Sequence, residues 1–147
     1  MGEVDDFVDS VLPRLTEVDT SFHNGDAGPR GDILSHDDPV TPFGALFTEN
    51  GWAAIEPAFD WLASRLSDCR GFRYEVIAAG VSGDLGYLVG MEHTTVSIGG
   101  EPPPSEPYVL RVTTIFRREN AEWKVVHRHA DPMPDSRAAK EQLARMA

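Results

Sequence analysis

The residues best suited to chemistry lie near the end of the chain. In WKVVHRHAD, Trp123 to Asp131, two histidines stand two residues apart. In an extended chain, residues i and i+2 point to one face. Trp123, Val125, His127 and His129 are therefore expected on one side of a strand, with Lys124, Val126 and Arg128 on the other. A side that begins with Trp and Val should face an interior, so the imidazoles either line a pocket or fill a core. A pocket imidazole can serve as base or acid near neutrality. On the preceding apolar run, YVLRVTTIFRRE, Arg111, Thr113 and Ile115 share a face that hairpin pairing would set beside the histidines. An inward guanidinium could grip a carboxylate with two hydrogen bonds or steady a developing oxyanion. The plainer alternatives are an ion pair between Arg111 and Glu92 or another acid, and core histidines tied to backbone carbonyls.

Other constellations are weaker. His127 and His129 with Asp131, His36 or Glu92 have the spacing of a metal site, but two histidines and no cysteine cluster are a poor signal. No metal is expected. SHDDPVTP holds His36, Asp37, Asp38 and Thr41, which could cap a pocket mouth. Aspartate before proline is also ordinary turn chemistry. Cys69 has no base nearby in sequence and reads as inert. No phosphate-binding or dinucleotide fingerprint occurs, and no cofactor is implied.

Those side chains need a scaffold. Val4, Phe7, Val8, Val11, Leu15, Val18 and Phe22 recur every three or four residues, one stripe of a helix, with Pro13 predicting a kink or split. A short segment at Arg30 to Ser35 is followed by SHDDPVTPFG, whose prolines, Pro39 and Pro42, limit it to an edge or irregular strand. Asn50-Gly51 opens a second helix through Trp52, Ile55, Phe59, Leu62 and Leu66, closed by Asp68 to Gly71. Beyond it the pattern alternates with period two. Strands are expected at Phe72 to Gly80, Leu85 to Ile98, Tyr108 to Glu119 and from Glu122 to Ala130, with GGEPPPSEP as a hairpin loop. Gly86 and Gly90, on one face of a long strand, suit a bend or the close approach of a helix. The run from Asp135 on favours a helical tail. Helices followed by an antiparallel meander make an α+β fold.

The chain has 147 residues, 41% apolar and 25% charged, which suits one globular domain with a core over about residues 4–134. A net charge of −11 argues against nucleic acid and anionic membrane surfaces as partners. No run is long and apolar enough to span a bilayer, no signal sequence is recognisable, and a single cysteine excludes an internal disulfide. These features point to the cytoplasm.

Three stretches resemble one known family. SHDDPVTPFGA, the terminal hairpin RVTTIFRRENAEWKVVHRHAD, and AFDWLASRL with FRYEVIAAG are similar to the nuclear transport factor 2-like superfamily, also called SnoaL-like or ketosteroid isomerase-like. The resemblance implies a cone-shaped curved sheet, antiparallel or mixed, packed on N-terminal helices, with an internal pocket and a homodimer made through the sheet. It implies no single reaction, since the fold hosts many. The isomerase pattern itself is incomplete. Where its carboxylate base would follow the first strand stand Pro42, Phe43 and Gly44, and the first helix holds no tyrosine. The expectation is a small organic ligand in a partly apolar pocket, with Arg111 and His129 as the catalytic pair. Phe22, Phe43, Trp61, Tyr87, Glu92, Thr113 and His127 would line it. The activity would be cofactor-free isomerisation, dehydration or hydrolysis, or else the domain is a non-catalytic binding or oligomerisation module.

Overall fold

A computed structural model describes residues 2–44, 48–133 and 143–146. The first helix, α1 (Glu3–Phe22), buries Phe7, Val11, Leu15, Val18 and Phe22 along one stripe. It runs unbroken through Pro13. The expected split does not occur because Pro13 lies on the exposed side, where water can serve the carbonyl that loses its partner. A short α2 (Gly28–Ile33) starts with Pro29 in its first turn and buries Arg30 and Ile33. β1 (Thr41–Phe43) is three residues long, and α3 (Trp52–Ala63) buries Ile55, Phe59 and Ala63.

Four long strands follow: β2 (Leu66–Ser82), β3 (Leu85–Ile98), β4 (Tyr108–Glu119) and β5 (Glu122–Pro132). The sheet order is β1-β5-β4-β3-β2, all antiparallel except β1, which runs parallel to β5 at the edge. The α+β sheet-and-helix architecture, its helices ahead of the meander, thus follows the sequence pattern. One boundary differs. Leu66 and Asp68 to Gly71 do not end the second helix; they begin β2, whose pairing with β3 shifts between Ser67 and Gly71. The helical spacing of Leu66 is accidental, since Leu66 is buried from a strand. The tail reading over 135–147 lies outside the described residues except at 143–146, which are helical. No described helix is long and apolar enough to cross a membrane.

The core lies between α1 and one face of the sheet. Phe7 meets Phe116 and Trp123 edge-to-face at ring distances of 5.4 and 4.9 Å. Its ring also lies over Gly86, whose Cα is paired with Phe116. A Cβ at Gly86 would stand 2.7 Å from the Phe7 ring, well inside contact distance. Glycine at this point is a condition for the helix to sit on the sheet. Gly86→Ala is therefore expected to cost about 1–3 kcal/mol through overpacking. Urea unfolding measures it, and an unchanged midpoint would mean that Phe7 does not seat there.

Candidate active site

The decisive local feature is a bulge in the last hairpin. Phe116 pairs with Val125 and Ile115 with His127, so Val126 is left without a partner across the ladder. One extra residue inverts the alternation beyond it. Trp123 and Val125 face the helices, and after the bulge it is Arg128 and buried Ala130 that do so. His127 and His129 turn to the opposite face. The expectation that they share a side with Trp123 fails for this reason, as does the outward placement of Arg128.

The helix-covered side holds a cavity of about 330 Å³ with mostly apolar walls. Phe22 from α1, Phe59 and Leu62 from α3, and Val96, Ile98 and Leu110 from the sheet form much of it. Its polar groups are His23, Arg30, Glu92, Thr94, Tyr108 and Arg128. A cavity of this size and mixed character suits a small organic molecule.

Two ion pairs stand at its polar side. Arg128 meets Glu92 with two parallel hydrogen bonds of 2.7 and 2.8 Å. Arg30 donates to Asp19, which α1 projects from its buried stripe. Asp19 and Glu92 are only 3% and 2% exposed, so neither charge could stand there alone. The pairs act on each other. Burial pushes the Asp19 carboxyl up, but Arg30 and Arg128 together draw it below its ordinary range. Burial likewise weakens the hold of Arg128 on its proton, yet Glu92 outweighs it and the net shift is upward. The Arg30 guanidinium lies 3.5 Å from the centre of the Phe22 ring, a cation–π contact that fixes its plane. Tyr74, Cα partner of Glu92, keeps a buried hydroxyl. Thr114 is near enough to act on it, but no hydrogen bond of regular geometry forms. Burial and the charge of Glu92 raise its pKa, so it stays an O–H donor.

His23 caps the end of α1 beside this cluster. Its Nδ1 lies 2.6 Å from the carbonyl oxygen of Asp19. A carbonyl only accepts, so Nδ1 carries the hydrogen. Burial, then the charge of Arg30, holds the imidazole below its ordinary pKa of 6.5. At neutral pH the ring is uncharged and Nε2 has a bare lone pair. Its ring packs edge-on to Phe22 and stacks on Phe72.

The expected site residues divide between the two faces. Phe22 and Glu92 line the cavity. Arg111 does not: it is half-exposed on the other face and forms a two-bond pair with Asp131 at 2.9 and 2.7 Å. The expected ion pair is present, though with Asp131 and not Glu92. Thr113, His127 and His129 border a shallow hollow on that same face with Arg111. Thr41 Oγ1 lies 2.9 Å from Nδ1 of His127, and Phe43 meets both imidazoles edge-on. Tyr87 is 46% exposed on the open face and Trp61 61% exposed on α3, so neither is a cavity wall. Among the described residues no group of three or more His, Cys, Asp or Glu side chains converges as a metal site. His36 stacks on Trp52 at 3.8 Å, and the Asp38 carboxylate lies against Gly51 at the start of α3 without a capping hydrogen bond, so neither lines the cavity.

His23, Asp19, Arg30 and Arg128 are the groups that sequence reasoning passed over. Asp19 had a detectable signal, a carboxylate inside the buried stripe between Val18 and Phe22. Arg30 and Arg128 had none that spacing could supply.

The fold and the enclosed polar cluster define the class to which other proteins can be compared. Residues 36–135 match the SnoaL-like domain, and the chain belongs to that family. No curated protein matches the chain. Among solved structures it is similar to a provisionally named dehydratase of the nuclear transport factor 2-like family from Streptomyces avermitilis. That pair shares 17% identity over 88% of this chain and 97% of the other, with a TM-score of 0.66. A provisionally named ketosteroid isomerase from Parabacteroides distasonis shares 12% identity over 91% and 90% of the two chains, TM-score 0.66. A nuclear transport factor 2-like protein with a cystatin-like fold from Novosphingobium aromaticivorans shares 19% over 92% and 87%, TM-score 0.62. At these identities the likeness is one of fold.

Removing one member of the Glu92–Arg128 pair strands the other in a low-dielectric interior. Glu92→Leu and Arg128→Met are each expected to cost about 3–5 kcal/mol, and the double variant much less than their sum. Denaturant unfolding of the four proteins checks this; additive losses would show that the pair is not coupled.

Proposed function

We propose that this protein is a cofactor-free acid–base catalyst for a small, largely hydrophobic molecule held in the interior cavity. The observation that carries the reading is the neutral His23, whose Nδ1–H is engaged by a carbonyl, so that Nε2 is the basic nitrogen, in a cavity wall that also carries Arg30 and Arg128. A proton from an acidic C–H or O–H of the substrate passes to Nε2. The charge left on the substrate oxygen is met by N–H groups of Arg30 and Arg128 that their carboxylates do not occupy. Returning the proton to another carbon gives an isomerisation. Delivering it to a departing hydroxyl releases water and gives a dehydration. The names carried by two of the similar structures, an isomerase and a dehydratase, are the two outcomes of this one device. We place the catalytic pair here and not at Arg111 and His129, which share the open face. We also place the protein in the cytoplasm, on the strength of its lone cysteine, Cys69.

A second reading concerns the open face, and it is the surface we assign to a homodimer. Ile77 is 57% exposed, Leu85 51% and Tyr87 46%, an apolar strip among the pairs Arg111–Asp131 and His93–Glu75. Such a patch, apolar and carrying both charges, is complementary to a copy of itself.

Two measurements test these readings. In heavy water, wild type is expected to speed deuterium exchange next to the carbonyl in some members of a set of small alicyclic and aromatic ketones and keto acids. His23→Gln should lose about 10²–10⁴ of that rate. Because the folded pKa of His23 lies below 6.5, the rate should hold level from pH 8 down to about 6.5 and fall only below. An equal rate in the variant would remove His23 from the mechanism. For the open face, Ile77→Lys should shift sedimentation from dimer to monomer, and a monomeric wild type would end that assignment.

A further inference from the structure

We infer that the cavity admits an uncharged molecule with an oxygen acceptor and turns away ionised acids, an inference that rests on the catalytic reading above. The ground is a count of buried charge. Arg30 and Arg128 contribute two positive charges, and Asp19 and Glu92 two negative ones, in direct contact. His23 adds none while its ring is neutral, and the Tyr74 and Tyr108 hydroxyls, their pKa values raised by burial, add none either. The polar side of the cavity therefore offers hydrogen-bond donors with no net charge to neutralise. A carboxylate entering would bring one unpaired charge against Leu62, Leu66, Val96, Ile98 and Leu110. The spare N–H groups could hydrogen-bond it, but both guanidinium charges are already balanced; a cation of its own would require displacing Glu92 from a two-bond contact of 2.7 and 2.8 Å. Protonating His23 to meet it is opposed by the adjacent Arg30. The net charge of −11 also repels anions before they reach the mouth. A ketone, ester or hydroxyl oxygen meets none of these costs, and it can take the N–H groups that Arg30 and Arg128 leave free.

Acetophenone and benzoate make a matched pair of probes, alike in ring and carbonyl carbon and different in charge. Titrated at about pH 7.5 with ligand-observed NMR, acetophenone is expected to bind wild type at least about tenfold tighter than benzoate. Glu92→Gln leaves the cluster one positive charge in excess. Benzoate should then gain at least about tenfold and overtake acetophenone. Asp19→Asn makes the same change from the other pair and serves if Glu92→Gln does not fold. Benzoate binding wild type as tightly as acetophenone overturns the inference and leaves the acid–base reading standing. So does a folded variant of either kind that gains no affinity for benzoate. Failure of both probes to bind wild type or variants overturns the inference and the cavity reading together.

Discussion

Four charges have been taken out of water in the space between α1, α2 and the sheet, and each is tolerable only because of the others. Glu92 holds Arg128 with two hydrogen bonds, and Asp19 holds Arg30. Desolvating ions of this size costs several kcal/mol apiece, which mutual attraction recovers only when geometry and hydrogen bonding are close to ideal. Such an arrangement is a poor way to gain stability. Apolar residues of similar volume would serve a core as well. On the catalytic reading proposed above, its presence at the wall of a cavity, with an uncharged histidine beside it, is preparation of an electrostatic environment. Polar groups held rigidly before a substrate arrives need no reorganisation when charge develops on it.

The rest of the fold can be seen as support for that cluster. Asp19 from the last turn and His23 from the cap of a single long helix join the cluster, so the helix must continue past Pro13, which faces water. That helix is seated by Phe7 over Gly86, at the far end from the cluster. Phe22 closes on the Arg30 guanidinium and also lines the cavity. Glu92 and Arg128 come from strands that are not neighbours, β3 and β5, with β4 between them. A two-bond contact across an intervening strand needs two long side chains and a marked local twist, which the bulge at Val126 supplies.

Much of this could be read in the residues, and what could not has a definite cause. The period-two runs at Leu85 to Ile98 and Tyr108 to Glu119 coincide with β3 and β4. The apolar stripe of α1 and the edge position of Thr41–Phe43 also follow from spacing and from proline chemistry. The functional side chains were harder because their positions depend on a single interruption in β5. Before Val126 the parity of Trp123 and Val125 is as expected, and after it every residue changes side. Nothing in VVHRH marks that step, since a bulge needs no glycine here and arises from how β4 and the helices pack. His23 and Arg30 lie at the ends of helices, where a short run gives no periodicity to interpret. Asp19 was legible in principle, as a carboxylate where the stripe called for a hydrocarbon.

The strand at the border of the sheet has one more consequence. β1 is only three residues long, and its middle residue, Pro42, has no amide hydrogen to offer a newcomer. At the opposite border, β2 is interrupted twice by irregular pairing with β3. The first margin is too short, and the second is broken by its irregularities into shorter, twisted pieces, so neither is one long flat row of amides and carbonyls that would template ribbon-like stacking. Lateral growth of the sheet from one molecule to the next is disfavoured at both margins, which lowers the tendency of a strand-rich protein to clump into fibrils.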